Sequence, residues 1–176
     1  MKTRTALGFC IVLLVFAGCA HEQIYDSNPA MRTVRTDLFE AQLEPLKAEG
    51  YNYYNTFRFV FTNKSGQDLI IDWSDTYYLQ NKRRSGHFGW EGLTFEQLKE
   101  LKEAPDLTIA AGKTLSAVIF PLKLIGWKEE GARKKNQSIE AGFTNTIIPT
   151  GQNGMSLAVR QGGKLFRKVI LVTITP

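Results

Sequence analysis

The sequence predicts an all-β fold: an antiparallel, immunoglobulin-like two-sheet sandwich with one short helix, preceded by an N-terminal signal helix. Three observations carry this expectation. Phe57, Phe59 and Phe61 alternate with Arg58, Val60 and Thr62, the period-two signature of a half-buried strand. Segments of this kind are punctuated at short intervals by turn residues, among them Asn63-Lys64-Ser65-Gly66 and Gln161-Gly162-Gly163. No helical segments alternate with the strands, so βαβ units are disfavoured and two stacked antiparallel sheets bury the apolar faces most simply.

The elements follow in order. Residues 20–36 mix His21, Asn28, Pro29 and Arg32 without a sustained apolar period and read as a poorly ordered tether, so the sandwich domain is placed at 37–176. Residues 38–46 form a first strand candidate for which helix competes, because Pro45 and the spacing of Leu38, Ala41 and Leu43 fit neither period cleanly. Residues 51–63 hold the clearest strand. After the Asn63-Lys64-Ser65-Gly66 turn, 68–73 form the returning strand with Leu69, Ile71 and Trp73 on one face, and 77–80 are a short third piece.

Residues 81–92 read as a polar loop around Lys82-Arg83-Arg84, followed by Phe88 and Trp90. Thr94 is placed to cap a short helix over 95–102, with Leu98 and Leu101 on its apolar side and Pro105 beyond its end. Ala110-Ala111-Gly112-Lys113 turn into a strand at 114–120 closed by Pro121. A stretch rich in Gly, Lys, Glu and Asn runs from 126 to 153, with a strand candidate inside 139–148. Residues 155–160 and 164–175 complete the chain as a hairpin, with Phe166, Ile170, Val172 and Ile174 lining one face of the last strand.

Composition bounds the function. The 176 residues suffice for one domain, and 22% charged with 11% aromatic residues is ordinary globular composition, which excludes wholesale disorder. Two Cys and two His leave almost nothing for a zinc centre or a Cys/His catalytic machine. No Ser lies in a G-x-S-x-G elbow and no glycine-rich phosphate loop is present, so an enzyme is the weaker class. The formal charge of +5 is mild, and aromatic interleaving of the single-strand-binding kind is missing, so nucleic acid is not expected as a partner.

The first residues are an address. Lys2 and Arg4 precede an apolar run from Ala6 to Phe16, which ends in Ala17-Gly18-Cys19. As a helix this run rises only about 16 Å, roughly half the hydrocarbon thickness of a bilayer, so it does not suit a permanent transmembrane segment. The small residues before Cys19 resemble a bacterial lipobox, although Phe16 stands where Leu is usual. The resemblance implies removal of 1–18 as a lipoprotein signal peptide and attachment of diacylglycerol to the Cys19 sulfur, with 19–36 as a lipidated tether. A secreted protein cut near Ala20 and an uncleaved anchor are the alternatives. In families of this type Ala20, in place of Asp, implies retention at the outer membrane. Cys10 then leaves with the signal, and the folded domain keeps neither a thiol nor a disulfide. No cofactor is expected beyond the covalent lipid on Cys19.

Phe59-Val60-Phe61-Thr62-Asn63-Lys64-Ser65-Gly66, followed by Leu69-Ile70-Ile71-Asp72-Trp73, resembles small bacterial envelope lipoproteins of uncharacterised function. Their immunoglobulin-like sandwich begins with an apolar strand, an Asn-x-Ser turn and an Ile-x-Trp strand. The resemblance covers about residues 37–125. It implies a cell-envelope β-sandwich, and families of this kind carry no established catalytic residues to transfer.

Candidate binding residues follow from chemistry. Trp73, Tyr77, Tyr78, Phe88, Trp90 and Trp127 are aromatic enough to form a stacking surface; core packing is expected for Trp73, whereas Trp90, beside Phe88 and His87, is the better surface candidate. Lys82, Arg83 and Arg84, and the second triplet Arg133-Lys134-Lys135, are set to meet anionic headgroups or polymer if they share a side of the domain. Asp72, Asp75, Glu91 and Asp106 match no calcium-loop spacing and read as solvated turn residues. The expected function is that of a non-enzymatic lipid-anchored envelope protein, whose sandwich binds or supports an envelope protein or anionic envelope polymer. A carbohydrate-binding or carbohydrate-active protein using loop 82–92 is the alternative.

Overall fold

The computed structural model describes residues 23–101, 104–128 and 142–176, the side chains at 127, 128, 142 and 143 excepted. The signal segment, Cys19, the Arg133-Lys134-Lys135 triplet and the indole of Trp127 lie outside the described residues. Among the described residues no helix is long and apolar enough to cross a membrane.

The chain runs through strands β1 (Asp26–Asn28), β2 (Arg32–Arg35), β3 (Phe39–Lys47), β4 (Tyr54–Asn63), β5 (Leu69–Ile71), β6 (Tyr77–Gln80), β7 (Arg83–Arg84) and β8 (Phe88–Trp90). Helix α1 (Phe95–Glu100) then leads to β9 (Leu107–Ile109), β10 (Thr114–Pro121), β11 (Ile125–Lys128), β12 (Gly142–Asn145), β13 (Gly151–Gln161) and β14 (Lys164–Thr175). One sheet has the order β1-β14-β13-β5-β9, with β6 pairing β13 beyond β5 and carrying β7 at its edge. The facing sheet has the order β2-β3-β4-β10-β8, and β11 and β12 form a separate hairpin. All pairings are antiparallel, so the described residues form an all-β sandwich with one short α-helix.

Alternation decides which faces meet. Phe57, Phe59 and Phe61 are fully buried; on β3 Ala41 pairs with Phe61 and Leu43 with Phe59, and the buried Phe39 ring stacks 5.1 Å from that of Phe61. From the other sheet Leu69, Ile71, Met155, Leu157, Val159, Ile170, Val172 and Ile174 close the core. Burying this apolar area is the dominant stabilising term. The β13–β14 hairpin turns at Gly162 and Gly163, whose φ of 53° and 79° match a tight hairpin turn. Helix α1 starts where expected: Thr94 Oγ1 accepts from Gln97 N at 3.2 Å, while the Gln97 side chain accepts from Thr94 N at 2.9 Å. It is shorter than the 95–102 expectation, closing at Glu100, and it buries Leu98.

Several expectations are corrected. Residues 26–35, read as tether, carry two strands. β1 closes the end of β14, and β2 borders β3, so the chain switches sheets between them. Their backbone pairing and the packing of Tyr25 and Val34 on the core hold them, and neither leaves a periodic trace. The 68–73 segment does not return along β4. β5 crosses to the opposite sheet and pairs with β13 and β9. Asn63 ties this crossing together: Nδ2 donates to the carbonyls of Gln67 at 2.8 Å and Ile109 at 2.9 Å, and Oδ1 accepts from Ser65 N at 2.9 Å.

Asp72, expected in solvent, is fully buried. Oδ1 accepts from Ser74 Oγ at 2.7 Å and Asp75 N at 3.0 Å, and Oδ2 pairs with the half-exposed Arg160. A buried carboxylate is tolerated because these donors replace its water.

Glu40, on β3, accepts from Arg35 Nε at 2.9 Å and Gln42 Nε2 at 3.1 Å, with Lys64 Nζ 3.5 Å away. The Arg35 hydrogen bond first, then that of Gln42, hold its carboxyl below the usual 4.5. A lowered native pKa stabilises the fold above the ordinary carboxylate range, and the gain is lost as pH falls through the native value. Glu40→Gln is therefore expected to lower the urea midpoint at pH 7 and to leave it unchanged near pH 3, a comparison made by unfolding curves at the two values.

Candidate functional site

The turn between β6 and β7 has two residues, and both are left-handed: Asn81 at φ 49° and Lys82 at φ 65°. This backbone matches the strand twist of a tight hairpin, and its favoured sequence is Asn-Gly. Asn81 is locked to β13, donating its N–H to Gln152 O at 2.7 Å and accepting from Gln152 N on Oδ1 at 3.0 Å. Gly151 permits this approach, since a Cβ there would lie 2.5 Å from Asn81 Oδ1. Lys82 stands where glycine fits better, placing a cation at the tip at a backbone cost of about 1 kcal/mol. Lys82→Gly is expected to raise stability by about 0.5 kcal/mol, the turn strain relieved being partly offset by the entropy of an added glycine. Urea unfolding curves measure this directly, and a lower midpoint would count against a strained tip.

Arg83 and Arg84 follow on the exposed side. The Arg84 guanidinium carbon sits 3.1 Å from the centroid of the Tyr77 ring, and the half-buried His87 ring lies 4.8 Å from the same ring. Tyr77 Oη donates to Asp75 Oδ1 at 3.3 Å, and Asp75 in turn pairs with Arg167 at 2.9 Å. Stacking holds Arg84 in place while its N–H edge remains available. Lys123 reaches the same place from the turn after β10, where Leu122 N donates to His87 O at 3.0 Å.

The product is a cleft of about 540 Å³ lined by Gln80, Asn81, Arg83, Arg84, Ser85 and Lys123. Three cations and no carboxylate line it. Such a surface binds phosphate or carboxylate groups, because guanidinium forks match their paired oxygens. It holds no nucleophile-base pair and no pair of acids. Lys82, Arg83 and Arg84 were visible as a run of charge. Lys123 was not, since nothing local in the sequence announces a residue that joins through tertiary packing.

Phe88 is corrected from surface candidate to core. It is 1% exposed, with its ring 6.5 Å from that of Trp73 and 6.0 Å from that of Tyr78. The reason is β8: pairing Phe88 with Pro121 and Trp90 with Ile119 turns both side chains toward the sheet interface. Trp73 is buried, as expected, and Tyr78 with it. The Tyr78 hydroxyl donates to Asn153 Oδ1, and burial pushes its pKa well above the usual 10.

Trp90 is half-buried and lines two further clefts. One, about 270 Å³, lies against Trp73, Ala104, Pro105, Asp106, Leu107, Leu115 and Ala117. The other, about 220 Å³, includes Thr56, Glu91, Val118, Phe120 and Asn145. Glu91 and Asp106 therefore line different clefts and Asp72 lines neither, so these carboxylates do not form the facing pair that glycoside hydrolysis needs. Among the described residues no three of His, Cys, Asp and Glu converge as a metal site.

Comparison of the chain with known protein families, characterised proteins and solved structures finds no match.

Proposed function

We propose that this chain is a non-enzymatic, lipid-anchored cell-envelope protein that uses the basic cleft of the β6–β7 hairpin to hold an anionic envelope component. The observation that carries the reading is the grouping of Arg83, Arg84 and Lys123 around one cleft without an acid, with Lys82 at its tip. Position supports it. Asn81 is bonded to Gln152, Gln152 pairs with Thr173, and β1 enters the sheet opposite Thr173 to Thr175. The basic tip thus lies at the end of the sheet where the chain arrives from Cys19. The segment from Cys19 to Asp26 spans at most about 25 Å when extended. A membrane holding Cys19 would lie within reach of that end. There each cation contributes about 1 kcal/mol against an anionic surface, so four contribute about 4 kcal/mol at low salt.

Two experiments test this reading. Cys19→Ala is expected to release the protein from membranes and to abolish lipid labelling; retention with unchanged labelling would sink the anchoring. Combined Arg83→Ala, Arg84→Ala and Lys123→Ala substitutions are expected to weaken cosedimentation with phosphatidylglycerol vesicles about a hundredfold at low salt, given about 1 kcal/mol per charge, and to leave phosphatidylcholine binding unchanged. Equal binding by the parent and the triple variant would remove the cleft from the proposal.

Carbohydrate binding is a second reading, favoured by one observation. The smaller cleft beside Trp90 combines an indole wall with Glu91, Thr56 and Asn145, whose buried Oδ1 has no hydrogen-bond partner among the described residues. Saturable glycan binding that is lost in Glu91→Gln would support it.

A further inference from the structure

Among the described residues the sandwich does not close along one flank. Among the described residues β8 pairs with Ile119–Pro121 of β10 and no strand lies beyond Leu115 and Ala117, which keep the inward orientation of their partners Phe61 and Phe59. Trp90 shares that inner face, because it opposes Ile119. Trp73 meets it from the other sheet, its ring edge-on to Phe59 at 5.9 Å. The segment through Ala104, Pro105, Asp106 and Leu107 forms the rim. The cleft of about 270 Å³ therefore has two indoles and a set of aliphatic groups as walls, and among the described residues that line it the one ionisable residue is Asp106, which is exposed. Among the described residues Asp106 makes no ion pair.

We propose that this cleft binds a small organic cation, a free alkylammonium with an apolar body, its charge held between the Trp90 indole face and the Asp106 carboxylate. Indole faces attract cations through the ring quadrupole and do so more strongly than other aromatic side chains. The exposed Asp106 carboxylate at the apolar rim adds the opposite charge at short range, an attraction that weakens as salt is added. The occupant follows from the count of polar groups. A neutral hydrocarbon would leave the Asp106 charge unanswered, and a sugar would bring several hydroxyls to largely apolar walls. A quaternary or alkyl ammonium brings one charge and otherwise apolar surface. The site is separate from the basic cleft, which selects the opposite charge, and it stands whether or not the anionic partner does.

Tryptophan fluorescence of the full chain in maltoside micelles, titrated with choline and with its neutral isostere 3,3-dimethylbutan-1-ol, tests the proposal. Choline is expected to saturate the signal and to bind at least tenfold more tightly than the alcohol. Asp106→Asn, at an exposed position, is expected to bring the two within about twofold while leaving the fold intact. Trp90→Phe should keep most of the preference, and Trp90→Leu should lose it. Equal binding of choline and the alcohol, absence of a choline response, a preference undiminished in Asp106→Asn, or saturation by N-acetylglucosamine instead of choline would each overturn it.

Discussion

Gly154→Ala is expected to be the most damaging single methyl in this protein. Gly154 lies on β13 opposite Leu171, and a Cβ built there would stand 1.9 Å from Ile170 O and 2.9 Å from Leu171 Cα. Both obstacles are backbone, so no rotamer change relieves them; the two longest strands must separate locally. Overpacking usually costs 1–3 kcal/mol, and a backbone clash in the central hairpin should exceed that, reaching about 4 kcal/mol. For a chain of this size the melting temperature should fall by about 8–16 °C. Gly66→Ala is the matched control, because an added Cβ there meets nothing within 4 Å. It should be neutral within about 0.5 kcal/mol. Comparable losses at the two positions would show that β13 and β14 do not approach as closely as described.

The second large effect is expected at Phe59. The side chain is fully buried, its ring 5.9 Å from that of Trp73 and 6.3 Å from that of Phe61, so it joins the two sheets at the centre of the core. Phe59→Ala removes its transfer free energy and leaves a cavity that neighbouring rings cannot fill, costing about 4 kcal/mol. Phe59→Leu keeps most of the volume and should cost about 1.5 kcal/mol. Denaturant unfolding of the pair distinguishes a packed centre from a loose one: equal, small losses would contradict the ring contacts. Phe59 also supports Trp73, the wall of the apolar cleft. Ligand-induced fluorescence change should therefore weaken in Phe59→Ala under conditions where the variant remains folded, and Phe59→Leu should weaken it less.

What could be read in advance depended on length and periodicity. β4, β10, β13 and β14 are long enough for pattern to identify them, whereas in β3 helix competed until its pairing with β4 was in place. The Thr94 cap was legible because capping is satisfied within a few residues. β1, β2, β7, β8 and β9 have two to four residues each. They are strands only because a partner edge completes their hydrogen bonds, and the partner of β1 is almost the whole chain away. Asp72 was misread for a similar reason: its type and turn position suggest solvent, while Arg160, far along the chain, makes burial tolerable.

The sequence by itself determined an all-β domain, most of the faces that go inside, the capped helix that starts after Thr94 and a run of cations at 82–84. Those are local properties, set by side-chain period and turn chemistry. Only the tertiary structure decided that Lys123 joins Arg83 and Arg84, that Phe88 leaves the surface, and that Trp73 and Trp90 wall one cleft with Asp106 at its rim. The physical reason is that charge clusters and clefts are relations between strands in space. Their partners are chosen by the order and register of two sheets, which no window of neighbouring residues contains.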